Sequence, residues 1–266
     1  MTLTEPTPTE PPPSKYRQGQ PLPHRALEIA LVLAAWAAFL WLMSAQSLWA
    51  KGLGRLFPEV STPVYERSTL WQLFLQHVQL SGITMALVTV IGVGLGLWVT
   101  RPAGRACLPL VSNLTAVGQT FPPVAVLFLA LPVVGFGPAG AIAALTLYAL
   151  LPVTRSTVLG LQNVPAPVRE AALGLGLSPA QQLGWLELPL ALPAILTGLR
   201  TALVLTIATA TLAPMVGTGG LGVPVIAGLG AGNLALILQG AVPVALLALL
   251  SDWTLRLLER WLTPWR

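Results

Sequence analysis

Charged residues are scarce in this sequence. Asp, Glu, Lys and Arg together make up 9% of the 266 residues, whereas 55% of the residues are hydrophobic. Soluble domains are about 25% charged, so a soluble chain of this composition could not cover its surface with polar groups. A lipid bilayer removes that need. The scarcity of charge, with a mean hydropathy of +0.76, therefore predicts an integral membrane protein.

Residues that build reactive or metal-binding sites are scarce as well. Cys107 is the single cysteine, and His24 and His77 are the only histidines. One cysteine excludes an internal disulfide and a cysteine-rich metal site. Two isolated histidines give neither a metal-ligand cluster nor a Ser/His pair, so we predict no catalytic residue and no metal site, and exclude a membrane-embedded protease. We place both histidines at the membrane interface.

The basic residues do not form a dense patch. The net charge is +5, but Lys and Arg fall between apolar runs, where they orient a chain in the membrane, so we predict no nucleic-acid partner. With the N-terminus inside, the external side holds only Lys51, Arg55 and Arg67. This asymmetry predicts a multi-pass protein of the cell membrane with both termini in the cytoplasm and an even number of spans.

Six apolar runs are long enough to cross a hydrocarbon core of about 30 Å at 1.5 Å per residue. They cover residues 27–49, 77–99, 108–132, 138–160, 190–216 and 234–257. The stretch 50–75 predicts a short helix at the interface. The fold class that follows is an all-α, polytopic transmembrane bundle of about six spans.

The predicted domain organisation has three parts. Residues 27–260 form the transmembrane domain. They are preceded by a disordered cytoplasmic tail, 1–26, rich in Pro and Thr, which has almost nothing to bury. They are followed by a cytoplasmic C-terminus, 261–266. Within the spans, Gly92 and Gly96 permit close packing of helices, and the Pro122-Pro123 pair predicts a break or kink.

The connection at 161–189 is long for a bundle of this kind. Its local chemistry predicts a helix, a turn and a second helix. Pro165 and Pro167 suit the start of the first helix and place Glu170 in its first turn, favoured by the helix dipole. Gly174 and Gly176 predict its end, one of them in the left-handed conformation.

The second helix of this connection carries its own start signal. Ser178, Pro179 and Gln181 have the spacing of a capping box with proline at the first helical position. Pro189 then predicts an interruption before the fifth apolar run. The result is a compact cytoplasmic elbow with small residues on one face.

The same connection carries a spaced motif. Its positions are Glu170, Ala171, Ala172, Gly176, Leu186, Leu188 and Pro189. In this spacing it resembles the EAA loop of binding-protein-dependent ABC importer permeases, with Leu186 where isoleucine is usual. The strings Ala208–Ala213, Gly217–Gly222 and Asn233–Pro243 are similar to the glycine betaine/carnitine/choline branch of that family, although residues 223–228 are more apolar than is usual there.

The resemblance implies a type I ABC importer permease-like fold in which loop 161–189 forms a coupling helix that docks on a separate ATPase subunit. It further implies an extracytoplasmic substrate-binding protein and a second permease copy or a sister permease as partners, besides membrane lipid. Neither of the two lysines, Lys15 and Lys51, stands in a G-x4-G-K-[ST] loop. We therefore expect no cofactor in this chain and an ATP site on the partner subunit.

The expected cargo is a quaternary ammonium osmoprotectant such as glycine betaine, choline or carnitine. Import of another small solute, an amino acid or similar, stays open, as does an ATP-independent secondary transporter, which gives no reason for the EAA spacing. Candidates for the substrate path are polar side chains of the spans: Thr206, Thr209, Thr211, Asn113 and Gln119. Arg200 and Asp252 are the charges predicted inside spans, and we favour structural roles for both at the cytoplasmic edge.

Overall fold

The computed structural model describes residues 22–263, with backbone alone at 22–25 and 115–119. Over this range the chain is helical and contains no β-strand. The helices are α1 (Leu22–Ser44), α2 (Gln46–Leu56), α3 (Leu70–Val99), α4 (Leu108–Thr120), α5 (Pro123–Val134), α6 (Pro138–Gln162), α7 (Ala166–Gly174), α8 (Pro179–Gln181), α9 (Leu188–Ala210), α10 (Gly222–Ala231) and α11 (Leu234–Leu262). The predicted all-α fold is confirmed. Of the predicted tail, residues 22–26 belong to α1, while 1–21 and the terminal 264–266 lie outside the described residues.

Five of the described helices, α1, α3, α6, α9 and the last helix α11, are long and apolar enough to cross a membrane. A sixth crossing is made by α4 and α5 together. Arg101, just after α3, pairs with Glu187 at one end of the bundle. At the other end the Gly137 amide, just before α6, donates to the Val216 carbonyl over 2.8 Å. The chain between these two points therefore crosses the bundle once, which agrees with about six spans.

The predicted run 108–132 is divided into two helices. α4 ends at Thr120, Phe121 is extended, and α5 begins at Pro123. Proline has no N–H to donate and disfavours helical conformation in the residue before it, so Pro122-Pro123 cannot lie inside a straight helix. The predicted break is confirmed.

The centre of the bundle is formed by α3, α6 and α9, which pack closely because small residues face one another. A Cβ placed on Gly96 of α3 would lie 2.6 Å from the Cβ of Thr157 on α6. A Cβ on Gly198 of α9 would lie 2.8 Å from the carbonyl oxygen of Pro152. Glycine is required at such contacts because the backbones themselves approach. The close packing predicted for the Gly92–Gly96 pair is confirmed.

The first apolar run also differs from its prediction. Instead of one helix over 27–49, α1 ends at Ser44 and the amphipathic α2 begins at Gln46. The helix at the predicted interface is thus displaced toward the N-terminus. Trp49 of α2 donates its indole N–H to the Leu42 carbonyl over 3.1 Å, which fixes the corner between the two helices without proline or glycine.

The interfacial placement predicted for His77 is wrong. His77 is fully buried, and its Nε2 lies 3.1 Å from the Ile207 carbonyl oxygen of α9. The loop after α9 folds back over α3 at this point, where the Gly220 amide donates to Gln76 over 3.1 Å. This loop covers the histidine, which no local pattern in the sequence indicates. The side chain of His24 lies outside the described ones.

Candidate functional site

The elbow at 161–189 begins with α7, which follows α6 after three residues. Pro165 caps α7 and Pro167 lies in its first turn, where a missing N–H costs no helical hydrogen bond. The predicted helix start is confirmed. The placement of Glu170 in the first turn is wrong, because the first turn holds no acidic residue. Glu170 lies one turn further along the helix and is exposed.

Gly176 turns the chain between the two parts of the elbow. Its φ of +74° lies in the left-handed region, where residues with a Cβ are strained by about 1–2 kcal/mol. The Gly176 amide donates to the Leu173 carbonyl over 2.9 Å, and the Leu177 amide reaches back to the Ala172 carbonyl over 3.1 Å. These bonds satisfy the last carbonyls of α7. Gly174 is the last helical residue, so Gly176 is the predicted left-handed glycine.

The predicted capping box is present. The Ser178 amide donates to the Gln181 side-chain oxygen over 2.8 Å, and the Gln181 amide donates to the Ser178 hydroxyl over 3.4 Å. These two bonds start a helix that leads into the membrane. The direction of the chain as it leaves the elbow is thus set by local bonds.

The interruption predicted at Pro189 is wrong. One continuous helix runs over Pro179–Ala210, and residues 182–187 within it are π-helical. The Leu188 amide accordingly bonds to Leu183, five residues back. A proline normally clashes with the carbonyl four residues before it. The wider π turn relieves this clash at Pro189 and keeps the elbow mechanically continuous with α9.

The outer surface of the elbow is apolar. Leu173 and Leu175 are 62% and 81% exposed, and Trp185 is 69% exposed. Beside them a shallow apolar groove is lined by Val168, Trp185, Leu186, Pro189 and Leu190. Large exposed apolar residues on a projecting segment mark an interaction surface.

Glu187 connects the elbow to the bundle. Its side chain is 7% exposed and forms ion pairs with Arg101, after α3, and with Arg169 of α7, whose Nε lies 3.2 Å from Oε1 of Glu187. Arg169 also donates through Nη2 to the Leu161 carbonyl at the end of α6. We call Arg101, Arg169 and Glu187 the elbow clamp.

The sequence matches the family described as binding-protein-dependent transport system inner membrane components over residues 92–264. This match covers well over half of the chain and includes the whole elbow. The chain belongs to this family. The resemblance to binding-protein-dependent permeases that was drawn from the EAA spacing is thereby confirmed.

Curated relatives of the permease include three with similar names. It is 38% identical to the choline transport system permease protein OpuBB of Bacillus subtilis over 71% of this chain and 86% of that protein. It is 36% identical to the osmoprotectant import permease protein OsmW of Salmonella typhimurium over 73% of this chain and 92% of that protein. It is 36% identical to the glycine betaine/carnitine/choline transport system permease protein OpuCB of B. subtilis over 71% of this chain and 86% of that protein.

Solved structures share the fold of the permease. An inward-facing structure of the MetNI methionine ABC transporter matches with a TM-score of 0.64 and 23% identity, over 72% of this chain and 95% of that chain. An amino acid ABC transporter with histidines matches with a TM-score of 0.60 and 19% identity, over 71% of this chain and 92% of that chain. At these identities the likeness shows the fold alone.

The candidate path residues of the permease lie on α9, directly after it and on α4. Thr206 and Thr209 are buried in the bundle; the Thr206 hydroxyl lies 3.6 Å from the sulfur of Met85, and the Thr209 hydroxyl donates to the Leu205 carbonyl over 2.7 Å. Thr211 as a whole is half-buried, but its hydroxyl oxygen is buried. Asn113 is exposed on α4, which packs against α6. The side chain of Gln119 lies outside the described ones.

The two charges predicted inside spans lie together in one network. Arg200 of α9 donates to Asp252 of α11 through Nε and Nη2 over 3.1 and 3.0 Å, and to Glu259 through Nη1 over 2.9 Å. Asp252 also pairs with Arg256, one turn further along α11. The network lies in the half of the bundle that carries the elbow. Its pairing fits the structural role favoured for Arg200 and Asp252.

Sequence reasoning missed the elbow clamp. The one signal for it was an acidic residue, Glu187, placed directly before an apolar membrane run, where an unpaired charge is costly. Its partners Arg101 and Arg169 were assigned to membrane orientation by their positions in loops. Only the fold brings these three side chains together.

Proposed function

We propose that this permease forms the membrane path for a quaternary ammonium osmoprotectant, such as choline, glycine betaine or carnitine, and that a separate ATPase subunit drives transport by binding the elbow. The single observation that carries this proposal is the elbow itself. It is a projecting, apolar surface in the EAA spacing, joined to a membrane helix without interruption.

The shape of the elbow supports docking on another protein. Its projecting tip carries the exposed side chains of Leu173 and Leu175, and the exposed Ala171 adds almost no bulk. Small residues let a helix enter a cleft, and exposed leucines are stabilised when a partner covers them. Neither Lys15 nor Lys51 stands in a G-x4-G-K-[ST] loop, which supports an ATP site on the partner subunit.

The distribution of charge supports an orientation with the elbow in the cytoplasm. Arg101, Arg105, Arg155 and Arg169 lie in the half of the bundle that carries the elbow, whereas Lys51, Arg55 and Arg67 lie toward the other end. Positively charged loops are retained in the cytoplasm. In this orientation α1 begins and α11 ends on the cytoplasmic side, in the inner membrane.

The opposite end of the bundle then faces the substrate-binding protein. One chain of this size supplies half of a path, so we propose that it pairs with a second copy or a sister permease. The substrate class rests on the names of relatives that are 36–38% identical to this chain.

Reconstitution tests the proposal. The permease is placed in liposomes with the ATPase and the binding protein from the same operon, and uptake of labelled choline, glycine betaine, carnitine and methionine is measured. We expect ATP-dependent uptake of one or more of the three quaternary amines and none of methionine. Uptake of methionine alone would show that the substrate is an amino acid and not a quaternary amine. Uptake without the ATPase would identify an ATP-independent transporter.

A matched pair of variants tests the elbow. Gly176→Asp places a charged side chain at the left-handed turn, and we expect it to abolish ATP-driven uptake with membrane insertion intact. Gly232→Asp is the control for a charged side chain at a left-handed glycine, because Gly232 is also exposed, has a φ of +64° and has open space around it. Both variants are measured with a saturating concentration of the binding protein, since Gly232 lies at the end proposed to face that protein. Equal uptake by the two variants would contradict the role of the elbow.

A further inference from the structure

The elbow clamp places one buried carboxylate between three segments of the chain. Oε2 of Glu187 pairs with Arg101, which follows α3, and Oε1 pairs with Arg169 on α7. Glu187 itself is the last residue before α9. Each carboxylate oxygen therefore holds a different segment, and Glu187 itself is continuous with α9 through the backbone.

α7 has few other attachments to the bundle. Ala172 is its single buried residue. A buried methyl group contributes about 1 kcal/mol or less and has no preferred direction. Arg169, in contrast, donates a directed hydrogen bond to the Leu161 carbonyl and forms an ion pair with the buried Glu187. The orientation of α7 relative to the membrane helices therefore depends on the clamp.

We propose that Glu187 is a positioning residue for coupling. It holds α7 in one orientation relative to α3 and α9, so that a displacement of the elbow moves both membrane helices together. This inference rests on the proposed function, in which an ATPase moves the elbow. A charged group suits the task because charge-assisted hydrogen bonds fix geometry more sharply than apolar contacts do.

Glu187→Gln tests the proposal, since it removes the charge at constant size. In liposomes with the ATPase and the binding protein, we expect the complex to assemble and hydrolyse ATP. Uptake per ATP should fall roughly tenfold, as expected for loss of coupling between two sites. Glu28→Gln is the matched control, because Glu28 also pairs with an arginine, Arg260, but joins α1 to α11 and does not contact the elbow clamp. Equal uptake per ATP in the two variants would overturn the proposal.

Double variants separate positioning from general destabilisation. Arg101→Gln should lower uptake per ATP as Glu187→Gln does, and the variant with both changes should be no worse than either alone, because the residues act as one unit. Additive losses would overturn the proposal.

The distance between two spin labels tests the positioning of α7 in the absence of the ATPase. The label is attached to Gly174→Cys in a Cys107→Ser background, since Gly174 is exposed and has open space around it. We expect Glu187→Gln to broaden the distribution of distances from this label to one at the end of α3. An unchanged distribution would overturn the proposal. Failure of uptake by the unaltered protein would instead count against the proposed function, and this measurement would still test the clamp.

Discussion

At the elbow end of the bundle, helices are joined by ion pairs, whereas at the opposite end they are joined by neutral hydrogen bonds and close backbone contacts. The ion pairs among described side chains all lie in the elbow half. They include the elbow clamp, the network around Arg200 and the pair of Arg260 with Glu28, which joins α11 to α1.

The opposite end uses side-chain amides. Gln239 of α11 is 1% exposed and accepts the Tyr65 amide over 2.7 Å. Asn233 donates to the Thr62 carbonyl over 3.0 Å. These bonds attach the segment between α2 and α3 to the beginning of α11 without any charge.

The difference shows how one bundle combines a firm end with a movable one. Amides that bond to the backbone at short range hold loops in a single arrangement. Ion pairs between two helices join these helices to each other, so that a displacement of one helix is passed on to its partner. The elbow end, which we propose to be cytoplasmic, therefore suits movement, and the opposite end provides a frame for it.

The largest effect is expected at the Arg200 network. Arg200→Leu removes the shared partner of Asp252 and Glu259, whose side chains are 20% and 13% exposed. We expect the free energy of unfolding to fall by about 3 kcal/mol, the low end of the range for breaking a buried pair, because Asp252 keeps its pair with Arg256. The free energy of unfolding is measured for the purified permease and the variant in detergent. Arg260→Leu is the control, because that arginine is 60% exposed and its pair contributes about 1 kcal/mol or less.

The next effect tests the close contacts at the opposite end. A Cβ on Gly222 would lie 1.9 Å from the Thr211 carbonyl oxygen, so Gly222→Ala forces the backbone of α10 to move. We expect a loss of about 3 kcal/mol. Gly230→Ala, in the same helix but in open space, should stabilise the permease by about 0.5–1 kcal/mol. Equal midpoints in thermal unfolding would show that this end is not the firm one.

A smaller effect is expected for the amides. Gln239→Leu leaves the Tyr65 amide without its acceptor, and we expect a loss of about 1–2 kcal/mol. Gln76→Leu removes the acceptor of the Gly220 amide and should cost a similar amount. Hydrogen exchange of residues 57–69 should rise in the first variant alone. A rise in both variants would mean that the opposite end behaves as one cooperative unit.

The smallest effect is a dependence of stability on salt concentration, which should differ between the two ends of the bundle. Raising the ionic strength from about 0.1 M to 1 M shortens the screening length from about 10 Å to 3 Å. The stability difference between the unaltered permease and Arg260→Gln should shrink by about 0.5 kcal/mol, because both members of that pair are partly exposed. The cost of Gln239→Leu should not change. A salt-dependent cost at Gln239 would contradict the division into charged and neutral ends.

Local chemistry predicted most of the elbow from the sequence. The Ser178–Gln181 capping box and the left-handed Gly176 were predictable because their partners lie within a few residues. The helices α6 and α11 were found within five residues at each end, since long apolar runs define them. Such features depend on neighbours along the chain rather than on the fold.

Features that depend on distant residues were not predictable. Glu187 and Arg101 are 86 residues apart, and no spacing rule joins them. The burial of His77 depends on the loop at Gly220, which comes from another part of the chain. The corner after Ser44 carries neither proline nor glycine, so nothing marks the end of α1. The π turn before Pro189 shows how a proline can be tolerated where the helix is widened.

The unbroken helix Pro179–Ala210 makes the elbow one arm of a lever. Its 32 residues span about 48 Å, whereas the hydrocarbon core is about 30 Å thick, so the elbow-end turns stand clear of the lipid. A tilt of about 10° about its far end at Ala210, where the close contacts hold it, would move the elbow end by about 8 Å. A push on the elbow outside the membrane is thereby converted into a tilt of the whole helix, which need not unwind or slide.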